Sequence, residues 1–164
     1  MRKIFILFAA FSLLLFAGCA QTVPTDDAPL GGTEQITPSD DHEEITKMFI
    51  TVNGNKLEVE LAQNSSVDEL VTRLKNGDIT FTASENGGFE IYGSIGPSLP
   101  TNNVRMTSEV GDVLLYAGNN ICIFFGSNFY SYTRLGKING YSAAELRTLV
   151  GAENGKVQVT ISLK

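Results

Sequence analysis

Hydrophobic and polar residues alternate along much of the chain after residue 46, which is the pattern of strands with one buried face. In residues 56–61, Leu57, Val59 and Leu61 fall on one side of such a strand. Residues 156–163 repeat the pattern near the C-terminus. The Asn-Gly pair at 53–54 is a strong hairpin signal between two of these segments. The pattern therefore predicts antiparallel strands joined by tight turns.

The stretch 111–138 is the part around which we expect the fold to be organised. It predicts a strand over 113–116, a Gly-Asn-Asn turn at 118–120 and a second strand over 121–125. Glycine and asparagine tolerate the positive φ that a hairpin turn needs. The second strand is continuously apolar, as is typical of a strand buried on both faces. An aromatic loop is expected next, followed by a strand over 134–138.

Two helices are predicted among the strands, and each begins with a capping box. Ser66 and Glu69 have the required spacing at the start of the first helix, which ends near 76–77. Ser142 and Glu145 repeat that spacing at the start of the second, which ends at Gly151. The first helix carries one apolar stripe, formed by Val67, Leu70, Val71 and Leu74.

The remaining elements make residues 47–164 a mainly β domain of about eight short strands and two short helices. A loop over 93–103, with prolines at 97 and 100, is long for a plain connection. Many short antiparallel strands are typical of a sandwich or a closed barrel, and this pattern fits both. The further strands are expected over 48–52, 78–83, 89–92 and, as a short edge, 104–106.

The first 18 residues have the features of a signal peptide: a basic start, an apolar run and small residues before Cys19. The ending Leu-Phe-Ala-Gly-Cys resembles the lipobox of bacterial lipoproteins, in which the cysteine receives a diacylglyceryl group and becomes the new N-terminus. We therefore expect an exported protein anchored to the cell membrane or an outer membrane through Cys19. An ordinary secretory signal or a retained anchor helix is the alternative.

Residues 19–46 are rich in Thr, Pro, Asp and Glu and carry much of the net charge of −6. This composition predicts a disordered acidic tether. The acidic run around His42 is interpreted as solvated linker rather than as a metal site, because ordering it would cost entropy. No basic patch is interleaved with aromatic residues, which argues against nucleic acid as a partner.

Residues 47–164 contain no histidine, so a Ser-His-Asp or Cys-His triad is excluded there. Cys122 is the one cysteine besides Cys19, which excludes an internal disulfide in the mature chain. It lies inside an apolar strand and is expected to be a buried, unreactive thiol. No cofactor or metal site is predicted.

Several segments together resemble the bacterial cyclophilin-like domain family, over roughly residues 47–164. The most specific is the Gly-Asp…Tyr…Asn-Ile-x-Ile-Phe-Phe motif at 111–125, followed by Leu-Gly at 135–136. The resemblance implies a small closed barrel and agrees with an exported or lipid-anchored protein. The family motif has a Pro-Trp pair ahead of Asn120, whereas this chain has no tryptophan. A ligand pocket built on that indole is therefore not carried over.

Aromatic residues supply the candidate ligand site, at one end of the predicted barrel. An apolar groove with a few polar tips is the usual composition of a site for a peptide or small molecule. The same residues serve equally as ordinary core, and loop 96–98 is expected beside them. The candidates are Tyr116, Asn120, Phe125, Phe129, Tyr130, Tyr132 and Arg134.

Three functions remain open on the sequence. The first is a monomeric, non-catalytic module that binds a peptide or small ligand. The second is a divergent prolyl isomerase, although the Phe-His-Arg signature of cyclophilins is missing and nothing links Arg105 or Arg134 to that role. The third is a structural lipoprotein that docks a partner and has no ligand pocket.

Overall fold

The structure is a computed structural model that describes residues 44–164. These residues form nine strands, two α-helices and one short 3₁₀ helix. The predictions for the signal peptide, for Cys19 and for most of the tether lie outside the described residues. The elements are β1 Lys47–Val52, β2 Asn55–Leu61, α1 Ser65–Lys75, β3 Ile79–Asn86, β4 Glu90–Ser94, β5 Val104–Thr107, β6 Asp112–Tyr116, β7 Asn120–Phe124, β8 Phe129–Lys137, α2 Ala143–Leu149, the 3₁₀ helix Ala152–Asn154 and β9 Lys156–Ser162.

Eight of the strands close into an antiparallel ring in the order β2-β1-β9-β3-β4-β7-β6-β8. The ring is closed by β2 and β8, where Glu60 lies opposite Lys137 and Leu61 opposite Gly136. Only glycine fits at this closure, because a Cβ on Gly136 would lie 2.4 Å from the Glu60 carbonyl oxygen. β5 pairs with the first half of β8 and is the ninth strand. The mainly β closed barrel is therefore confirmed.

The main hydrophobic core is built from the alternating apolar positions of the ring strands and from the apolar sides of both helices. Leu70 of α1 and Leu146 of α2 are fully buried in it. α2 begins with the predicted capping box, in which the Ser142 hydroxyl accepts from the Glu145 N–H and the Glu145 carboxylate accepts from the Ser142 N–H. Within residues 44–164 no helix is long and apolar enough to cross a membrane.

The strand over 121–125 is buried on both faces, as its unbroken apolar sequence predicts. Ile121 and Ile123 belong to the main core. Cys122 and Phe124 point to the other face and form a second, smaller cluster with Leu114 and Tyr132. This second cluster is the base on which the candidate site is built.

Three local predictions are corrected by the structure. The aromatic segment 129–132 is the first half of strand β8 and not a loop, because β5 pairs with it. The β6–β7 turn uses positive φ at Ala117 and Gly118, one residue earlier than predicted. The first helix is capped by Asn64 rather than by Ser66.

The cap moves because the Asn64 side-chain oxygen accepts from the backbone N–H groups of Ser66 and Val67. The Ser66 hydroxyl is then available to donate to the Pro100 carbonyl oxygen at 2.6 Å. Arg73 of the same helix donates to the carbonyl oxygens of Pro97 and Ser98. Loop 95–103 is therefore held against α1 by hydrogen bonds. Its length is explained by the distance it must cover to reach this helix.

Candidate functional site

A cavity of about 300 Å³ opens beside the second cluster, and we call it the tyrosine cavity. Strands β4, β6 and β8 place their outward residues around it, and the end of β3 and the β7–β8 connection complete the lining. The lining residues are Asn86, Glu90, Tyr92, Tyr116, Asn128, Tyr130 and Tyr132.

Strand register explains why these side chains meet. Tyr92 of β4 lies opposite Cys122 of β7, and Leu114 of β6 lies opposite the same cysteine. Side chains at paired positions share one face of the sheet. Residues two apart along β4 also share that face, so Glu90 joins Tyr92 there. The alternation that sends Ile91 into the main core thus directs Glu90 and Tyr92 to the tyrosine cavity.

The tyrosine rings form a contiguous aromatic wall. The Tyr116 and Tyr130 rings lie 5.7 Å apart, and Tyr132 lies 5.9 Å from Tyr130, both pairs in edge-on geometry. Tyr132 continues the contact inward to Phe124 at 5.5 Å. Edge-on pairs at these separations are favourable beyond the area they bury. Tyr130 stays half-exposed, so the wall is open to water on its outer side.

Glu90 is the one acidic lining residue, and only 4% of it is exposed. Its Oε1 accepts a hydrogen bond from the Asn86 side-chain amide at 2.7 Å. Its Oε2 is buried and has no hydrogen-bond partner of normal geometry among residues 44–164. Burial raises the pKa of Glu90, and the Asn86 amide and the neighbouring Cys122 thiol, a weak donor, oppose this rise.

The neighbouring titratable groups are held in their neutral forms. Burial and the adjacent Glu90 carboxyl raise the pKa of the Cys122 thiol. The sequence-based expectation of a buried and unreactive cysteine is therefore supported by its surroundings. Burial raises the pKa of Tyr132 to about 12, although the Asn128 amide donates to its hydroxyl oxygen at 2.9 Å.

The structure brings three of the seven candidate ligand residues to the tyrosine cavity: Tyr116, Tyr130 and Tyr132. Phe125 is packed in the main core instead. Phe129 is 59% exposed under the Arg105 guanidinium, and Asn120 donates to its neighbour Asn119. None of these three lines the cavity.

Arg134, the last candidate, is directed away from the tyrosine cavity. Its Nη1 donates to the Asp112 carboxylate at 2.8 Å, and the Asp112 carboxylate also accepts from Lys137 at 3.0 Å. Asp112 Oδ2 also accepts from the Glu109 N–H, which closes the turn before β6. Neither of these two ion pairs was predicted from the sequence, nor was the full burial of Asp112.

Four lining residues were missed by the sequence reasoning: Asn86, Glu90, Tyr92 and Asn128. For Glu90 and Tyr92 the local signal is only their alternation with the apolar Ile91, whereas the pairing of β4 with β7 that places them beside the second cluster joins segments distant in the sequence. On that second face Glu90 is buried, whereas Tyr92 stays 38% exposed. Loop 96–98, which was expected beside the aromatic residues, contacts α1 and the β6–β7 turn instead.

A larger groove of about 740 Å³ lies between residues 44–46 and α1. Its charged side chains are exposed to water, and its half-buried Asn64 is fully used in capping α1 and in donating to the Arg134 carbonyl oxygen. Residues 44–164 also contain no group of three or more His, Cys, Asp or Glu side chains arranged to hold a metal ion. The tyrosine cavity is therefore the better candidate site.

Replacing Glu90 with glutamine is expected to change how stability depends on pH. The folded-state pKa of Glu90 is raised above its ordinary value of 4.5, so the native state binds this proton more tightly than the unfolded state. The resulting stability is fully present below that ordinary value and is lost as pH rises through the folded-state pKa. Glu90→Gln should remove this loss.

Urea unfolding of the full-length protein at several values between pH 4 and pH 8 gives the free energy of unfolding at each pH. The effect is the difference between wild type and Glu90→Gln in the slope of that free energy against pH. Glu153→Gln is the matched control, since Glu153 is exposed and only weakly paired with Arg147. If the Glu90→Gln protein kept the whole pH slope of the wild type, the assignment of a raised pKa to Glu90 would be wrong.

The closed antiparallel ring of strands, with two helices packed on its core, is compatible with a cyclophilin-like fold. The sequence model of the cyclophilin-like family matches residues 50–162. The chain belongs to that family, and the resemblance drawn from the sequence is confirmed. Comparison with curated proteins gave no match.

Two solved structures share the fold. The solution structure of the hypothetical protein AF2241 from Archaeoglobus fulgidus is 20% identical, with a TM-score of 0.50, over 73% of this chain and 95% of that chain. The structure of McbB in complex with tryptophan is 14% identical, with a TM-score of 0.52, over 70% of this chain and 44% of that chain. At these identities the likeness concerns the fold alone.

Proposed function

We propose that this protein is an exported, lipid-anchored module that binds a small organic ligand in the tyrosine cavity. The observation that carries the proposal is the cavity itself: four tyrosines surround a buried carboxyl group that has one unpartnered oxygen. Ligand sites are typically concave and largely apolar, with a few polar groups that fix orientation. In the tyrosine cavity four aromatic rings share the lining with three polar side chains, those of Asn86, Glu90 and Asn128.

The energetics of Glu90 support a binding role over a purely structural one. A buried polar atom without a partner costs roughly 1–3 kcal/mol, and more when the group is charged. The buried neighbours of Glu90 on this face form a cluster without any charged group: Leu114, Cys122, Phe124 and Tyr132. A ligand donor that reached Glu90 Oε2 would remove this cost.

The size of the cavity favours a small molecule over an extended peptide. A volume of about 300 Å³ is at the lower end of ligand pockets and suits a body of one or two rings. McbB, which shares the fold, was solved in complex with tryptophan. We therefore include tryptophan and related indoles among the compounds to be tested, together with neutral aromatic compounds.

The proposed location rests on the N-terminal sequence. A signal peptide over 1–18 followed by Cys19 supports export and attachment to a membrane through acyl chains on that cysteine. The acidic stretch 19–46 would then separate the barrel from the lipid surface. The cavity would consequently face the exterior of the cytoplasmic membrane, where the ligand would be encountered.

Replacing Tyr130 with alanine tests the site. Tyr130 is 51% exposed and contacts both Tyr116 and Tyr132, so its removal opens the aromatic wall without emptying the core. We expect a ligand found by thermal-shift and calorimetric screening of the full-length protein to bind about tenfold more weakly to Tyr130→Ala, which is the order of one lost aromatic contact.

Tyr141→Ala is the matched control, because Tyr141 is also exposed, at 40%, and does not line the tyrosine cavity. A ligand whose affinity fell equally in both variants, or in neither, would show that binding takes place elsewhere. The proposed site would then be wrong.

A further inference from the structure

The unpartnered Oε2 of Glu90 specifies which chemical group a ligand should present. In its ionised form the Glu90 carboxylate only accepts hydrogen bonds, so the partner missing from Oε2 in that form is a donor. The other oxygen of the same group already accepts from Asn86 at 2.7 Å, which fixes the carboxyl plane. A ligand that completes the pattern therefore brings an N–H or O–H group to Oε2.

The charges around the cavity favour a cationic donor over a neutral one. Strands β3, β4, β6 and β7 contain neither lysine nor arginine. The cations on β5 and β8 are engaged elsewhere: Arg105 lies over the Phe129 ring, and Arg134 and Lys137 pair with Asp112. Within the described part of the chain, no cationic side chain lines the cavity with Glu90.

The aromatic wall also favours a cationic ligand. The faces of tyrosine rings carry negative electrostatic potential and attract cations within about 6 Å of the ring centre, most strongly when the cation is shielded from water. Tyr92, Tyr116, Tyr130 and Tyr132 all line the same small volume as Glu90. Several rings around one acidic group form the arrangement by which proteins recognise organic ammonium ions.

We propose that the ligand of the tyrosine cavity is an organic ammonium compound whose N–H group donates to Glu90 Oε2 while the tyrosine rings surround its cationic end. This inference rests on the proposed function and specifies the class of ligand. An ammonium group supplies both the missing hydrogen bond and the opposite charge. A carboxylate ligand would be repelled by Glu90, and a neutral ligand would leave its charge unpaired.

Three indole compounds of nearly equal shape separate these possibilities: tryptamine, which is cationic at neutral pH; tryptophol, which is neutral; and indole-3-acetate, which is anionic. Binding of each to the full-length protein is measured by calorimetry at neutral pH. We expect tryptamine to bind about tenfold to a hundredfold more tightly than tryptophol, the range of one charge-assisted hydrogen bond. Indole-3-acetate should bind more weakly than both.

Glu90→Gln should lower the affinity for tryptamine to that for tryptophol, while Tyr141→Ala should keep the wild-type order of the three affinities.

If the three compounds bound the wild type equally well and Tyr130→Ala weakened all of them, the cavity would remain a ligand site and the ammonium inference would be overturned. The same holds if neutral compounds of the screen bound while tryptamine did not bind at millimolar concentration. Absence of binding by every compound would contradict both proposals. The order of the three affinities in the wild type tests the ammonium inference even if the Glu90→Gln variant did not fold.

Discussion

Replacing Asp112 with alanine is expected to lower the free energy of unfolding by about 3 kcal/mol, because hydrogen bonds to a charged acceptor are lost and a backbone N–H is left without its partner. The Asp112 side chain is fully buried at the start of β6. It accepts from Arg134 at 2.8 Å, from Lys137 at 3.0 Å and from the Glu109 N–H at 2.9 Å. Alanine would leave all three donors without this acceptor.

Removing Arg134, the partner of Asp112, should cost much less stability than removing Asp112 itself. The Arg134 side chain is 44% exposed, so in Arg134→Met the loss of one ion pair is partly compensated by water and by the remaining Lys137 contact. We expect this change to cost about 1 kcal/mol, close to the value for exposed pairs. Urea unfolding of both variants measures the difference. Equal costs for the two variants would contradict the view that Asp112 is the buried centre of this network.

Replacing Cys19 with serine is expected to abolish lipid attachment completely. The acyl-bearing group of a lipoprotein is joined through the cysteine sulfur, and a serine hydroxyl is a far weaker nucleophile than a thiolate at neutral pH. Each buried methylene of an acyl chain contributes about 0.8 kcal/mol to membrane binding, so loss of two or three chains removes the whole anchor.

Mass spectrometry of the trypsin-released N-terminal peptide gives a direct readout. The wild type should yield a peptide that begins at Cys19, ends at Lys47 and carries the mass of a diacylglyceryl group. Cys19→Ser should yield none, whereas Cys122→Ser, which changes the chain's other cysteine, should yield the same lipidated peptide as the wild type. An unmodified wild-type peptide, or one that starts at another residue, would contradict lipid anchoring at Cys19.

Local sequence patterns were sufficient for most of the fold. The alternation at 57–61 and the Asn-Gly pair at 53–54 each depend on a few neighbouring residues, and the structure has the β1–β2 hairpin at that place. The segment 129–132 was misread because its becoming a strand depends on pairing with β5, more than 20 residues earlier. The cap of α1 was misread because two polar residues, Asn64 and Ser66, compete for it, and Pro100 engages Ser66.

The site was less predictable than the fold. Tyr116, Tyr130 and Tyr132 were recognised as candidates from their aromatic character alone. Glu90 was not, because an acidic residue on a strand is ordinarily solvated, and its burial here results from the second cluster formed by β6, β7 and β8. That cluster depends on register between strands distant in the sequence, which no local pattern contains.

Fluorine NMR of the full-length protein labelled with 3-fluorotyrosine tests the central claim most directly. The chain has five tyrosines, of which four line the tyrosine cavity and one, Tyr141, does not. On titration with tryptamine we expect the four cavity resonances to shift with one common dissociation constant and the Tyr141 resonance to stay in place. Unchanged cavity resonances, or a shift of Tyr141 as large as theirs, would contradict the assignment of this cavity as the ligand site.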